Sequence, residues 1–136
     1  MKQKVLFLCT GNSCRSQMAE AIINARLGET WQAFSAGTKP TGYIHPKALE
    51  VLSEIGITHT GTSKKADEFR DVNFDLVVTV CDSAAEECPV WLGNGKRTHH
   101  SFPDPAITDN IDDFRKVRDA IEKEMVELIK SYSETR

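Results

Sequence analysis

The sequence predicts an α/β fold with a small parallel β-sheet flanked by helices. Two strongly apolar segments, residues 5–8 and 74–81, carry almost no charge, as is typical of strands that are covered on both faces. Segments with helical periodicity separate the predicted strands, and this alternation favours parallel strands joined by helical crossovers. The length of 136 residues predicts a single domain spanning residues 1–136.

The first half of the chain alternates strand and helix twice. After the first strand, residues 16–27 predict a helix, and Gly28 is a plausible stop. Residues 31–37 predict the second strand, and Pro46 begins a helix that Gly56 ends. The predicted apolar face of the first helix consists of four residues: Met18, Ala21, Ile22 and Ala25.

The second half repeats the pattern less regularly. Residues 64–70 predict a short helix, 74–81 a buried strand and 97–102 a weaker strand. A long helix is predicted over residues 111–132. Its apolar face holds Phe114, Val117, Ile121, Met125, Leu128 and Ile129.

Three chemically active residues follow predicted strands directly or closely. Cys9 and Cys81 end the two strongly apolar strands, and Asp104 follows the weaker one. Parallel sheets bind ligands at the carboxyl ends of their strands. We therefore expect these residues to meet at one rim of the sheet, although they are far apart in sequence.

Composition and charge exclude several classes of protein. The net charge of −3 comes without a basic stripe, which argues against nucleic acid as a partner. The five-residue apolar run near the N-terminus is too short for a signal peptide or a membrane span. We therefore expect a cytoplasmic protein without a membrane partner. Four cysteines in that compartment are more typical of reduced, catalytic or redox-active thiols than of a structural framework.

The loop CTGNSCRS, residues 9–16, joins the first strand to the first helix. Such a loop can direct several backbone N–H groups at one point, and the helix dipole adds positive potential there. The predicted cradle for a tetrahedral oxyanion consists of Thr10, Gly11, Asn12, Ser13, Cys14 and Arg15. Gly11 permits a positive φ, Asn12 tolerates it, and Arg15 can clamp an oxyanion with two N–H donors.

The same positive potential favours a thiolate at Cys9, which would then be an ionised nucleophile. Ser16 could donate a hydrogen bond to it. We expect Cys14 to be tucked toward the helix and sheet in a supporting role, because buried cysteines usually behave as small hydrophobes.

Cys81 and Cys88 are separated by six residues. This spacing matches neither a zinc site nor a two-residue thioredoxin motif, and we expect no metal. Two structural cysteines remain one interpretation. With Cys9 at the same rim, a relay among three thiols is the other.

The stretch CTGNSCRSQMAE resembles the active-site signature of the low-molecular-weight tyrosine phosphatase superfamily. Within it, the chain is more similar to arsenate reductases of the thioredoxin-coupled type. Further shared markers are SAG at 35–37, HPKAL at 45–49, DLVVTVC at 75–81 and DP at 104–105. The resemblance covers essentially the whole chain. It implies a three-layer sandwich with a four-stranded parallel sheet.

The resemblance also implies the chemistry. Arsenate, for which phosphate or sulfate are mimics, would bind in the loop, and Cys9 would attack arsenic. Cys81 would then form a disulfide with Cys9, and Cys88 would replace Cys9 in a Cys81–Cys88 disulfide. Thioredoxin would reduce this final disulfide. Glutaredoxin is the less favoured donor, because that route needs fewer internal thiols. The relay requires the 81–90 segment to rearrange between redox forms. The aspartate of the Asp–Pro pair, Asp104, would be the general acid.

Some members of this family hold a potassium ion beside the loop with an Asn, a Glu, a Ser and an Asp. Asn12, Glu20 and Ser35 match that set, but Lys64 takes the place of the aspartate. An ammonium group there can supply the positive charge and pair with Glu20. We therefore expect no potassium requirement, no tightly bound cofactor and a monomeric enzyme.

Two other functions share some of these residues. A phosphotyrosine phosphatase would use the loop, Arg15 and Asp104 but would have no use for Cys88. Ala106, where phosphatases usually have an aromatic residue, argues for a reductase, as do Ser13 and Gln17 in place of an apolar residue and a proline. A non-catalytic redox sensor or oxyanion-binding module would keep Cys81 and Cys88 but would tolerate the loss of Arg15 or Asp104.

Overall fold

A computed structural model describes residues 2–81 and 95–134. The elements are β1 (Gln3–Cys9), α1 (Arg15–Leu27), β2 (Trp31–Gly37), α2 (Pro46–Glu54), a 3-10 turn (Ala66–Phe69), β3 (Leu76–Thr79), β4 (Lys96–His99) and α3 (Ile111–Glu134). Every predicted element is present. The predicted helix at 64–70 is a single 3-10 turn, and β3 is shorter than the predicted 74–81.

The weak last strand ends earlier than the sequence predicts, at His99 rather than at residue 102. The chain nevertheless continues beside β3: the N–H of His100 donates to Thr79 O at 2.8 Å and that of Phe102 to Val80 O at 3.3 Å. Phe102 is therefore buried without belonging to the regular ladder. Pro103 follows it directly and cannot donate a further backbone hydrogen bond.

The sheet has the order β2-β1-β3-β4, and all neighbouring strands are parallel. β1 occupies an inner position, where Phe7 lies between Ser35 of β2 and Val78 of β3. The predicted four-stranded parallel architecture with flanking helices is thus confirmed. Its consequence for function is that the carboxyl ends of β1 and β3 are neighbours.

The alternation of side chains along β1 divides the core in two. Val5, Phe7 and Cys9 pack among residues of α1, α2 and α3 on one face. Leu6 and Leu8 face the opposite layer. In the described part of the chain, that layer is built by the 3-10 turn and three aromatic rings: Phe34, Phe69 and Phe74.

Burial along α1 differs from the predicted stripe. Met18, Ala21 and Ile22 are buried as expected, but Ala25 is exposed and Ile23 is buried instead. The early part of α1 is buried around most of its circumference, whereas its last turn lies largely outside the core. Position along the helix, rather than one apolar face, therefore decides which residues are covered.

The helix ends that depend on local chemistry lie where the sequence predicts them. Pro46 is the first residue of α2, and His45 Nδ1 accepts from the N–H of Lys47 at 3.1 Å. Gly56 follows α2 with φ = 80°, a conformation that favours glycine. The Asn110 side chain accepts from the N–H of Asp112 at 2.8 Å and so caps α3. Within residues 2–81 and 95–134, no helix combines the length and apolar character needed to cross a membrane.

Candidate active site

Cys9 is the last residue of β1 and one wall of a cavity of about 340 Å³. The other walls come from the loop after Cys9, from the 39–45 segment, and from Asp104 with Ala106. The cavity lies at the carboxyl end of the sheet, as predicted for a ligand site of this fold. The Cys9 side chain is only 2% exposed, so a reagent reaches its sulfur through this cavity.

The loop after Cys9 has its carbonyl groups held by the 39–45 segment. The N–H groups of Lys39, Thr41 and His45 each donate at 3.0 Å, to the carbonyls of Thr10, Gly11 and Ser13 respectively. In a planar trans peptide the N–H points opposite to the carbonyl. The next N–H groups along the loop therefore face the other way, which is the arrangement that an oxyanion cradle needs.

Asn12 has the left-handed conformation in this loop, with φ = 49°. Gly11, which was expected to permit it, does not have a positive φ. A Cβ at residue 11 would lie 3.2 Å from Thr41 Cγ2, a tight contact that favours glycine there for a different reason. The buried Asn12 side chain compensates for the unusual backbone: its Oδ1 accepts from the N–H of Lys64 at 2.7 Å and from Gln17 Nε2 at 3.0 Å.

A hydrogen bond of 2.9 Å joins Cys9 Sγ and Ser16 Oγ. Ser16 Oγ also accepts from Asn12 Nδ2 at 2.8 Å. A hydroxyl that accepts from an amide keeps its own proton for another partner, and the sulfur is at hydrogen-bond distance. The three buried side chains thus form a chain that suits an anionic sulfur at its end.

Arg15 and Asp104 both line the cavity, with their charged groups near each other. Arg15 is 3% exposed, and one terminal nitrogen donates to Phe102 O at 3.2 Å. The other lies 3.7 Å from Asp104 Oδ2. The N–H of Ala106 donates to the second Asp104 oxygen at 3.0 Å, which fixes the carboxyl at the cavity wall. This places a cation and a potential proton donor on one ligand site.

Cys14 also contacts the cavity, but its chemistry differs from that of Cys9. Burial raises the pKa of its thiol from 9.0 to about 12, and the side-chain hydrogen bond from Ser13 offsets only part of that effect. Cys14 is 4% exposed and immediately precedes α1. A protonated, buried thiol is a poor nucleophile, which agrees with the supporting role expected for it.

Cys81 lies two residues beyond β3 and is fully buried. The N–H of Val80 donates to Leu8 O at 2.8 Å, so the chain entering Cys81 runs beside the end of β1. Cys81 is disulfide-bonded, whereas Cys9 and Cys14 are free thiols. Cys88 and most of the 81–90 segment, whose rearrangement the relay requires, lie outside the described residues.

The predicted group of Glu20, Ser35 and Lys64 is assembled beside the loop. Ser35 Oγ donates to Glu20 Oε1 at 2.7 Å, and Lys64 Nζ lies 3.7 Å from the same oxygen. Lys64 Nζ also donates to Thr62 O at 2.6 Å. The ammonium group thus lies beside the carboxylate. Across the described ranges, no cluster of three or more His, Cys, Asp or Glu residues is arranged to hold a metal ion.

Several residues of the site were not assigned roles from the sequence. Lys39, Thr41 and Tyr43 line the cavity from a loop that showed only turn signals. Gln17 and His59 form hydrogen bonds behind the loop. Gln17 was noted only as a departure from the phosphatase pattern, and no local signal distinguishes His59.

Comparison with known proteins places the chain in one family, whose similar members include arsenate reductases and tyrosine phosphatases. The family described as low molecular weight phosphotyrosine protein phosphatase matches residues 4–136. A protein of Halalkalibacterium halodurans named arsenate reductase is 43% identical over 140 residues, covering 98% of this chain and 97% of that protein.

Two solved structures extend the comparison. An arsenate reductase in a phosphate-binding state has a TM-score of 0.83 and 28% identity, over 96% of this chain and 98% of that chain. A thioredoxin-dependent arsenate reductase of Corynebacterium glutamicum has a TM-score of 0.73 and 28% identity. That match covers 99% of this chain but 63% of the other, so this chain spans less than two thirds of that protein.

Proposed function

Since the chain belongs to the low molecular weight phosphotyrosine protein phosphatase family, we propose that it uses the family's loop to reduce arsenate to arsenite, an activity of arsenic detoxification. The similarity to the H. halodurans arsenate reductase over nearly the full length of both chains supports this choice. Phosphate resembles arsenate in shape and charge, so the phosphate-binding state of a structural relative supports an oxyanion in the same cavity.

One observation carries the proposal: a free thiol and a disulfide-bonded cysteine follow neighbouring strands at one rim. Cys9 is free and hydrogen-bonded to Ser16, while Cys81 is oxidised. Phosphate ester hydrolysis requires the first sulfur and has no role for an oxidised second one. A reaction that transfers two electrons to the substrate requires both cysteines.

The first step is attack of the Cys9 thiolate on arsenic, with loss of one arsenate oxygen as water. Arg15 and the loop N–H groups hold the remaining oxygens, and Asp104 gives a proton to the departing oxygen. Asp104 suits this role because its carboxyl lies at the wall of the cavity that Cys9 also lines. The product is a covalent adduct with a bond between sulfur and arsenic(V).

The second step transfers two electrons. A Cys81 thiolate attacks the Cys9 sulfur, the pair of electrons in the sulfur–arsenic bond passes to arsenic, and arsenite leaves. The Cys9–Cys81 disulfide that remains is attacked at Cys81 by Cys88, which gives a Cys81–Cys88 disulfide and frees Cys9. A form with Cys9 free and Cys81 oxidised is the state expected at the end of this relay.

An external dithiol then restores the enzyme, and we propose thioredoxin for this role. The thioredoxin-dependent relative from C. glutamicum supports that choice. Reduction of the disulfide requires a reducing compartment, so the cytoplasm is the proposed location. The Lys64 ammonium beside Glu20 supports a loop that needs no potassium ion.

The test is arsenate-dependent oxidation of NADPH in the presence of thioredoxin and its reductase, comparing wild type with Cys9→Ser, Cys81→Ser and Cys88→Ser. A reductase with this relay loses multiple turnover in all three variants, whereas Cys14→Ser retains it. If Cys81→Ser and Cys88→Ser both turn over at the wild-type rate, the relay is wrong.

Phosphate ester hydrolysis is the second candidate, because Cys9, Arg15 and Asp104 around one cavity also suit it. Ala106 forms the wall where an aromatic side chain would flank a phosphotyrosine ring. An aryl phosphate assay separates the two functions: a phosphatase is inactivated by Cys9→Ser alone and shows no arsenate-dependent NADPH oxidation. A non-catalytic redox sensor shows neither activity.

A further inference from the structure

His59 lies behind the loop, on the side away from the substrate cavity. Its side chain is 8% exposed, and Nε2 is 2.8 Å from Gln17 Oε1. The same nitrogen is 3.9 Å from Glu20 Oε2, too far for a hydrogen bond. The contact that fixes the ring is therefore the one with Gln17, a fully buried side chain at the start of α1.

The orientation of the Gln17 amide follows from its other partners. Its Nε2 lies 2.8 Å from Thr62 O, 3.0 Å from Asn12 Oδ1 and 3.2 Å from Asn12 O. All three partners are carbonyl oxygens, so the nitrogen must be on that side and the oxygen must face His59. Because Oε1 can only accept, the His59 Nε2 carries a proton and donates it.

From Gln17 the chain of hydrogen bonds continues to the nucleophile. Gln17 holds Asn12, Asn12 Nδ2 donates to Ser16 Oγ at 2.8 Å, and Ser16 Oγ is 2.9 Å from Cys9 Sγ. Gln17, Asn12 and Ser16 are each completely buried. The Lys64 N–H also holds Asn12 Oδ1 at 2.7 Å, so Gln17 and His59 add to an arrangement in which buried hydrogen bonds support one another.

The surroundings of Gly61 independently indicate that little space is left beside the His59–Gln17 hydrogen bond. A Cβ at residue 61 would lie 2.6 Å from His59 Nε2 and 2.9 Å from Gln17 Oε1, the two atoms of that hydrogen bond. The backbone at Gly61 thus passes directly over the bond. Any side chain at this position would displace the ring or the amide.

We propose that His59 is a positioning residue for the Cys9 nucleophile: by donating to Gln17 it completes the chain of hydrogen bonds through Asn12 and Ser16 that ends at the Cys9 sulfur. The inference rests on the proposed function only in that Cys9 is the reacting atom. His59 does not line the cavity, and it acts through three intervening side chains.

The charges around His59 are compatible with this role. Burial lowers the pKa of the imidazole, the Glu20 carboxylate raises it, and the Lys64 ammonium lowers it. Glu20 and Lys64 lie 3.7 Å from each other, and their charges act on the pKa of the ring in opposite directions. A neutral imidazole with its proton on Nε2 satisfies the Gln17 oxygen without adding a charge to the buried group.

The test compares three substitutions of His59. Glutamine can place an N–H near the position of Nε2, asparagine places one only near Nδ1, and leucine has no donor. We expect His59→Gln to retain function and His59→Asn to behave like His59→Leu. Gly61→Ala keeps His59 but adds a methyl group where the imidazole lies, so this variant should reproduce the His59→Leu defect. His99→Ala, at the end of β4, is the matched control.

The readout is the rate at which iodoacetamide alkylates Cys9 in the oxidised protein, measured on the Cys9 peptide by mass spectrometry. Loss of one oriented hydrogen bond predicts a roughly fivefold slower reaction at pH 7 for His59→Leu and Gly61→Ala. At about pH 10, where ordinary thiols are ionised, the rates should converge with wild type. A defect that merely loosened the fold would not disappear at high pH.

The alkylation assay uses no arsenate, so it separates the two proposals. If the predicted pattern appears in a protein without arsenate turnover, the proposed function is wrong and the role of His59 stands. The role of His59 is overturned if His59→Leu and Gly61→Ala alkylate at the wild-type rate at pH 7. It is also overturned if His59→Gln is as slow as His59→Leu.

Discussion

Ser16 Oγ lies 2.9 Å from Cys9 Sγ and accepts a hydrogen bond from Asn12 Nδ2. The amide donor leaves the hydroxyl proton free, so this serine is placed to donate to a Cys9 thiolate. Because both side chains are buried, the interaction acts in a medium of low polarity, where hydrogen bonds to an anion are strong. The thiol is thus prepared for attack before any substrate enters.

Replacement of this donor should slow the reaction without closing the cavity. For Ser16→Ala we expect kcat/KM for arsenate to fall about tenfold or more, because a hydrogen bond to a charged group contributes roughly 1.5–3 kcal/mol. Ser53→Ala, on the exposed side of α2, serves as the control. An unchanged kcat/KM in Ser16→Ala would show that the hydroxyl does not act on the sulfur.

Asp104 should matter for proton transfer rather than for binding. We expect Asp104→Asn to lower arsenate turnover by about 10²–10⁴-fold, the usual contribution of a general acid. Phosphate should still compete with arsenate in this variant, since Arg15 and the loop remain. The exposed Asp71→Asn is the control. Equal losses of turnover and of phosphate affinity would instead indicate that Asp104 organises the site.

Lys64 should decide whether the enzyme responds to potassium. Wild-type turnover is expected to be the same in potassium chloride and in choline chloride at equal ionic strength, because the Lys64 ammonium already lies 3.7 Å from Glu20. Lys64→Asp replaces the ammonium with a carboxylate beside the Glu20 carboxylate and the Ser35 hydroxyl. The turnover of this variant should therefore depend on potassium. Activation of the wild-type enzyme by potassium would contradict the account.

A prediction about stability concerns Glu54, which joins α2 to α3. Its carboxylate accepts from Arg115 and from Arg118, with shortest distances of 2.7 Å each, and the hydrogen bond to Arg115 is the main cause of its lowered pKa. A lowered folded-state pKa stabilises the fold above about pH 4.3, the unfolded value, and this contribution is lost as pH falls through the folded value.

The Tm of Glu54→Gln should therefore lie about 2–4 °C below that of wild type at pH 7. The difference should shrink as pH falls through the lowered folded-state pKa of Glu54, because the wild-type carboxyl then becomes protonated as well. Glu50→Gln, an exposed residue of the same helix, is the control. A difference in Tm that stays constant as pH falls through the folded-state pKa of Glu54 would rule out the proposed ion pairs as its cause.

The parts of the molecule that the sequence predicts well are those that local rules govern. Three features show this: the apolar run that leads to Cys9, Pro46 at the start of α2, and Gly56 after it. Each acts through its own backbone or a continuous apolar run. Ala25 was assigned wrongly, because burial late in α1 depends on how far the neighbouring elements extend. No periodicity within the helix contains that information.

In the candidate active site, too, the sequence predicts the local features but not the long-range contacts. The loop and Arg15 are contiguous in sequence, and their grouping follows from the strand–loop–helix context. His59 contacts Gln17 across 42 positions of the chain, and the contact depends on the absence of a side chain at Gly61. Spacing cannot predict such a contact. Likewise, the positive φ belongs to Asn12 and not to Gly11, because Asn12 has side-chain partners that compensate for it.

The central claim is that electrons reach arsenic from Cys9 and Cys81, and a single-turnover experiment tests it most directly. Fully reduced Cys88→Ser protein is mixed with arsenate in the absence of thioredoxin, and both arsenite and disulfides are measured by mass spectrometry. The account predicts one arsenite per chain, formed together with a Cys9–Cys81 disulfide. Arsenite formed without that disulfide, or no arsenite from a folded protein with Cys9 intact, would contradict it.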